Sequence, residues 1–178
     1  MTPQEVMDFW YQAGEDRWFS KDAGFDGQLA VRFGAVLKAA RTGACDHWGE
    51  TPQGALGLVL LLDQVPRNIH RGSPLAFATD SRALRLTKEW IGKGYHWKMP
   101  APQAMWFCMP FEHSEHIDDQ WRCVALFQSL GLNDMVLWAK VHLDIIAKFG
   151  RFPHRNKVLG RASTAEEIDF LKTGGFSG

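Results

Sequence analysis

Asp63 closes the run Leu60-Leu61-Leu62, so its carboxylate is expected to sit partly desolvated at the end of an apolar helix. A buried carboxylate needs a cation or hydrogen-bond donors beside it. Arg67, Arg71, Arg151 and Arg155 are the candidate partners, each able to offer a two-pronged guanidinium. One reading makes Asp63 the group that orients an arginine in a site. The other makes it half of an ion pair that locks a loop.

The arginines themselves recur in a pattern. Leu60-Leu-Leu-Asp-Gln-Val-Pro-Arg-Asn68 and Ile145-Ile-Ala-Lys-Phe-Gly-Arg-Phe-Pro-His-Arg-Asn156 both run from an apolar helix through proline into Arg-Asn. Each continues through another arginine (Arg71, Arg161) to a serine (Ser73, Ser163) before the next helix. Two such units suggest related helical corners but fall short of a repeat array. Amides at a helix start and nearby guanidinium forks favour an anion. If the corners meet, Arg67, Asn68, Arg71, Arg151, His154, Arg155, Asn156 and Arg161 would frame a pocket for a phosphate or carboxylate. If they do not, the same arginines cap helix carbonyls and pair with acids.

A third group is Met109-Pro-Phe-Glu-His-Ser-Glu-His116. On a helix, Glu112 and His116 share a face, as do Glu112 and Glu115. Glu112 and His113 are the candidate general acid and base, and Glu115 joins the ligand-binding set. Metal ligation would need donors from a second helix, His142 and Asp144 being available, and no metal or other cofactor is expected. Acidic residues near a helix start also occur for the dipole alone.

No phosphate-binding Walker loop, dinucleotide GxGxxG or GxSxG elbow is present, so covalent serine or cysteine catalysis has no support. Twenty basic and twenty acidic residues leave no net charge, and neither nucleic acid nor a membrane is an expected partner. Cys45, Cys108 and Cys123 are an odd number without metal-binding spacing, which fits a reducing compartment. The first residues lack a basic segment followed by an apolar run, and the apolar run near Leu56–Leu62 is too short to span a bilayer. A cytoplasmic protein is expected.

The elements that must hold these groups are helices. Thr2-Pro3-Gln4-Glu5 is a capping box with proline at the first helical position. Asp26 is a candidate cap for a second helix carrying Leu29, Phe33 and Leu37, stopping at Gly43. Thr51-Pro52 opens a third, from Ala55 to about Asp63, apolar on nearly every side and therefore central. A fourth runs from Ser73-Pro74 past Trp90 and Ile91. A short helix is expected near Gln103 to Phe107, and a long one from His113 or Ser114 with Ile117, Trp121, Val124 and Ala125 inward. Asn133 is the candidate cap of another with Leu137, Val141, Ile145, Ile146 and Phe149 inward, ending at Gly150, and Thr164-Ala-Glu-Glu167 caps the last. No segment alternates as a strand does. The fold expected is all-α, one domain over residues 1–178, a compact array of about seven helices.

Val6-Met-Asp-Phe-Trp-Tyr11, Trp18-Phe19, Leu62-Asp-Gln-Val-Pro-Arg-Asn-Ile-His-Arg-Gly72, Met109-Pro-Phe-Glu-His-Ser-Glu115, Phe149-Gly-Arg-Phe-Pro-His-Arg-Asn156 and Leu159-Gly-Arg-Ala-Ser-Thr-Ala-Glu-Glu167 stand in this order along the chain. Together they resemble the bacterial family called domain of unknown function 924, over essentially the whole length. The resemblance implies a helical fold of the tetratricopeptide-repeat-like superfamily without regular repeats, and implies no activity. Val65 and His70 stand where that family usually has Phe and Tyr. The function expected is binding of, or action on, a small anionic metabolite where the two corners meet the Glu112-His113 segment. The alternative is a helical protein-interaction module whose polar cluster is structural.

Overall fold

The computed structural model describes residues 1–176, and every regular element among them is helical. Seven helices of eight residues or more carry the fold: α1 (Pro3–Ala13), α3 (Ala23–Arg41), α4 (Pro52–Val59), α6 (Asp80–Gly92), α9 (Ile117–Ser129), α10 (Asn133–Phe149) and α11 (Ala165–Lys172). Shorter turns of helix join them: α2 (Glu15–Trp18), α5 (Val65–Ile69), α7 (Ala101–Ala104) and α8 (Met109–Glu112). None is long and apolar enough to cross a membrane, among the described residues.

Local chemistry explains most of the helix starts. Thr2 and Thr164 make complete capping boxes with Glu5 and Glu167, and Thr51 accepts from the Gly54 amide. The second start differs from expectation. Asp22, four residues before Asp26, accepts from the Gly24 and Phe25 amides and caps α3. Asp26 therefore lies within the first turn of α3, with its carboxylate available for another task.

The centre of the molecule is the chain from Pro52 to Ile69, buried at almost every position. Gly57 permits the close crossing of α1 on α4, since a Cβ there would lie 2.7 Å from the Pro3 side chain and 2.8 Å from its carbonyl oxygen. Pro66 would ordinarily break this helix, because it has no N–H for the Leu62 carbonyl. The chain instead widens into one π turn over Leu60–Gln64, where the Val65 amide reaches back to Leu60 O. The freed Leu62 carbonyl accepts the Thr79 hydroxyl at 2.6 Å, and Asp63 O accepts Arg67 Nη1 at 2.6 Å. So the widened turn both keeps Pro66 inside a helix and holds Asp63 at its fully buried position.

The fourth expected helix is divided, with a 3₁₀ turn over Pro74–Phe77 before α6. The fifth starts later than expected. Met109–Glu112 forms α8, residues 113–116 break the helix, and α9 begins at Ile117. Its apolar face is also other than expected: Ile117, Trp121 and Ala125 are exposed, while Asp119, Gln120 and Cys123 are buried. In α10, whose cap is Leu132 rather than Asn133, Leu137, Trp138 and Val141 are exposed and Ala139, His142 and Leu143 face inward. α9 and α10 pack on one another across a short turn. Gly150 ends α10 in the left-handed conformation (φ 68°), which turns the chain into the second Pro-Arg-Asn corner.

Candidate functional site

The π turn points the Asp63 carboxylate at His113, which follows α8. The His113 Nδ1 lies 2.9 Å from Asp63 Oδ1, and the Gln64 side-chain Nε2 donates to Oδ2 at 2.7 Å. Burial raises this carboxyl, but His113 and Arg67 beside it more than offset that and hold it below the usual carboxylate range. Burial first, then the Arg67 charge, lowers the His113 imidazole, so at neutral pH it is uncharged. An ionised carboxylate can only accept, so Nδ1 carries the proton and Nε2 is the basic nitrogen. Asp63 thereby fixes the tautomer of a potential base.

Two arginines, one from each Pro-Arg-Asn corner, converge above this pair. Arg67 in α5 grips Asp80 of α6 with both terminal nitrogens, at 2.9 and 3.0 Å. Arg155 donates from Nη1 to the His113 carbonyl at 3.0 Å and lies 3.7 Å from the same Asp80. Its guanidinium sits against the rings of Phe77 (4.8 Å) and Phe152 (4.4 Å). Unlike Arg67, it has no bidentate acid, and its buried Nε has no hydrogen-bonding partner. Burial and the neighbouring Arg67 charge pull it down to about 10, against an upward shift at Arg67.

Next to this centre is a set of groups that are uncharged at neutral pH. Burial, then the nearby Asp63 charge, pushes Glu112 up to about 8, so it is a protonated acid. Its Oε1 is 3.5 Å from Nδ1 of His142 in α10, and the Cys123 thiol points at Oε2 from 3.9 Å. The His142 Nδ1–H donates to Trp138 O at 2.9 Å, and burial pulls the ring down to about 4. His154, beside Arg155, is pulled down to about 3 by burial and that guanidinium, and its buried Nδ1 has no partner. Glu112, holding its proton up to about 8, is poised to give one near pH 7, whereas His142 and His154, at about 4 and about 3, are too weakly basic to take one there.

The remaining residues of the two corners are fasteners. Asn68 and Arg71 both donate to Asp26 of α3, at 2.9 and 2.5 Å. Arg151 holds Glu167 of α11 with two bonds of 2.7 and 2.8 Å, and Asn156 adds a third contact of 3.2 Å. Arg161 holds Glu115 at 2.6 and 2.9 Å, while Glu115 also accepts the Phe152 amide. The second corner is therefore tied both to α11 and to the segment after α8.

The structure thus brings together Asp63, Arg67, Glu112, His113, His154 and Arg155, and ties Asn68 and Arg71 to Asp26 of α3 instead. The break at 113–116 removes the helical face that Glu112 and His116 were expected to share. His142 faces Glu112, whereas Asp144 lies on the exposed side of α10. No cluster of three or more His, Cys, Asp or Glu that could hold a metal occurs among the described residues. Sequence reasoning missed Asp80, which reads as an ordinary first-turn acid, and Phe77 and Phe152. His142 had a signal, since it shares the i, i+3, i+4 spacing of Ala139, Leu143 and Ile146 on an otherwise apolar face. Two surface depressions, of about 600 and 390 Å³, lie between Phe9 and Arg32 and around Gly131–Met135, and no residue of the polar centre lines them.

The fold is all-helical, and its polar centre lies where Arg67 and Arg155 of the two Pro-Arg-Asn corners approach Asp80. The chain belongs to the bacterial family of proteins of unknown function DUF924, whose profile matches residues 6–175. It is similar to the solved structure of a protein of unknown function from Agrobacterium tumefaciens, with 41% identity, 97% of each chain covered and a TM-score of 0.93. No curated protein matches it.

Proposed function

We propose that the chain binds a small organic anion at Arg155, with Glu112 and the Asp63–His113 couple placed to exchange protons with it. The observation that carries this reading is the guanidinium of Arg155. It is buried against two aromatic rings, its Nε is unpartnered, and the acid nearest it already belongs to Arg67. A buried charge kept without a full partner costs stability, and such groups recur where a ligand completes the set.

The charge balance narrows the anion. Asp63 and Asp80 offset Arg67 and Arg155, while Glu112 and the three imidazoles are uncharged. The centre is thus already neutral, so the charge of an incoming anion is not offset by a surplus, which favours a singly charged carboxylate over a phosphate dianion. The other arginines of the two corners hold Asp26, Glu167 and Glu115 and are not available.

The test is a titration with acetate, 3-phenylpropionate and inorganic phosphate, followed through the imidazole resonances of the histidines. Carboxylates are expected to shift His142 and His154 in the wild type, phosphate less so, and neither in Arg155→Met. Equal carboxylate binding by wild type and Arg155→Met would overturn the reading. The interaction-module alternative rests on other residues, the exposed Trp121, Leu137 and Trp138 of α9 and α10. Polar substitutions there leave carboxylate binding unchanged if Arg155 is the anchor.

A further inference from the structure

The segment leaving α11 returns to the proposed site. Gly174 adopts φ 87°, the Gly175 amide donates to Phe170 O at 2.9 Å, and the Phe176 ring then lands between two imidazoles. It lies 4.6 Å from His142 and 5.4 Å from His154, edge-to-face against both. Phe152, 5.6 Å from each imidazole, closes the same box from another side. These walls are continuous with the anion centre. His142 Nδ1 is 3.5 Å from Glu112, Phe152 carries the Arg155 guanidinium on its ring, and His154 Nδ1 is a buried donor or acceptor without a partner.

The return path is built for glycine. A Cβ on Gly175 would lie 2.5 Å from Phe170 O and 2.7 Å from its ring, so any larger residue pushes the segment away. Phe176 itself is only partly buried. A ring on a short glycine tether, packed edge-on to two imidazoles and against the Ile145–Ile146–Phe152 cluster, is a competitor that another ring of the same size replaces by making the same contacts.

We propose that Phe176 is a displaceable plug occupying the subsite for the apolar, aromatic-sized end of a carboxylate ligand whose carboxylate reaches Arg155. This rests on the reading of Arg155 as the anion anchor. The incoming ring regains the edge-to-face contacts of the His142–His154–Phe152 box, and the carboxylate supplies what Phe176 lacks. Because the plug is tethered, it competes at a high effective concentration and weakens binding of ring-bearing ligands in the intact protein.

Two measurements on the full chain test this, with thermal melts confirming that each variant folds. In Phe176→Ala, 3-phenylpropionate is expected to bind about tenfold tighter than in wild type, and acetate within about twofold of it. Without ligand, carbethoxylation of His142 and His154 by diethyl pyrocarbonate, read by mass spectrometry, is expected to rise severalfold in both Phe176→Ala and Gly175→Ala. Added 3-phenylpropionate is expected to reverse that rise. Unchanged labelling in both variants overturns the plug. Faster labelling with no carboxylate bound overturns the ligand class and the Arg155 anchor together. Faster labelling with acetate and 3-phenylpropionate bound equally well overturns the aromatic subsite and leaves the anchor standing.

Discussion

Glu112 is the residue whose ionisation differs most usefully from its ordinary behaviour. In an unfolded chain its carboxyl ionises near its ordinary value of 4.5, whereas burial in the fold keeps the proton on up to about 8. Between those values the folded state holds a proton the unfolded state has lost, so stability falls as pH rises, by up to about 1.4 kcal/mol per pH unit. Below about pH 4.5 this group makes no difference. His142 and His154 act in the opposite direction: both stay neutral in the fold down to about 4 and about 3, while the unfolded rings protonate near 6.5. Stability from them is present above 6.5 and is lost as pH falls toward 4. Glu112→Gln is expected to remove the decline between about pH 7 and 8 and to steepen the loss as pH falls from 6.5 toward 4.5, where Glu112 opposes the two imidazoles, as measured by denaturant unfolding across pH. A wild-type profile that is flat from about pH 7 to 8 would mean that Glu112 is ionised in the fold. The sequence placed Glu112 and His113 in one candidate set with Asp63 but offered only arginines as its partners, and it is His113 that lies 2.9 Å from that carboxylate. It gave no sign that Asp80 would take both prongs of Arg67, because that pairing joins residues 13 apart across two helices.

At the scale of the elements, starts were legible and faces were not. Thr2, Thr51 and Thr164 announce their helices because a cap is made within four residues. Asp22 and Asp26 both precede the same apolar run, and the sequence alone does not say which one caps. Ile117, Trp121, Leu137 and Val141 follow a helical period yet face outward, since α9 and α10 turn Gln120, Cys123 and His142 inward to reach the polar centre. The π turn in the central helix was hidden too, although Pro66 was its cause. Its consequence is testable. Thr79→Val leaves the Leu62 carbonyl without its side-chain donor, and should cost about 1–3 kcal/mol of unfolding free energy. In a Pro66→Ala background, where residue 66 regains an N–H, the same substitution should cost clearly less. Equal costs in the two backgrounds would show that the hydroxyl does not replace the amide missing at Pro66.

Across the whole molecule, charged side chains divide into those that fasten and those that do not. Asp26 ties the first corner to α3, Glu167 and Glu115 tie the second to α11 and to the segment after α8, and Asp80 joins the two corners through Arg67. Arg155 stands apart: the fold buries its charge, lowers it to about 10 and gives it one carbonyl and a distant share of Asp80. That difference is the core of the functional argument and can be read as stability. Chemical unfolding of Arg67→Met and Arg155→Met at pH 7 compares the two guanidiniums directly. Loss of Arg67 strands two carboxylates and is expected to cost about 3–5 kcal/mol. Loss of Arg155 removes an incompletely partnered charge from an aromatic setting and is expected to be neutral or stabilising by about 1–3 kcal/mol, with carboxylate binding abolished. If Arg155→Met instead loses as much stability as Arg67→Met, Arg155 is a fastener like the others and the anion site does not stand.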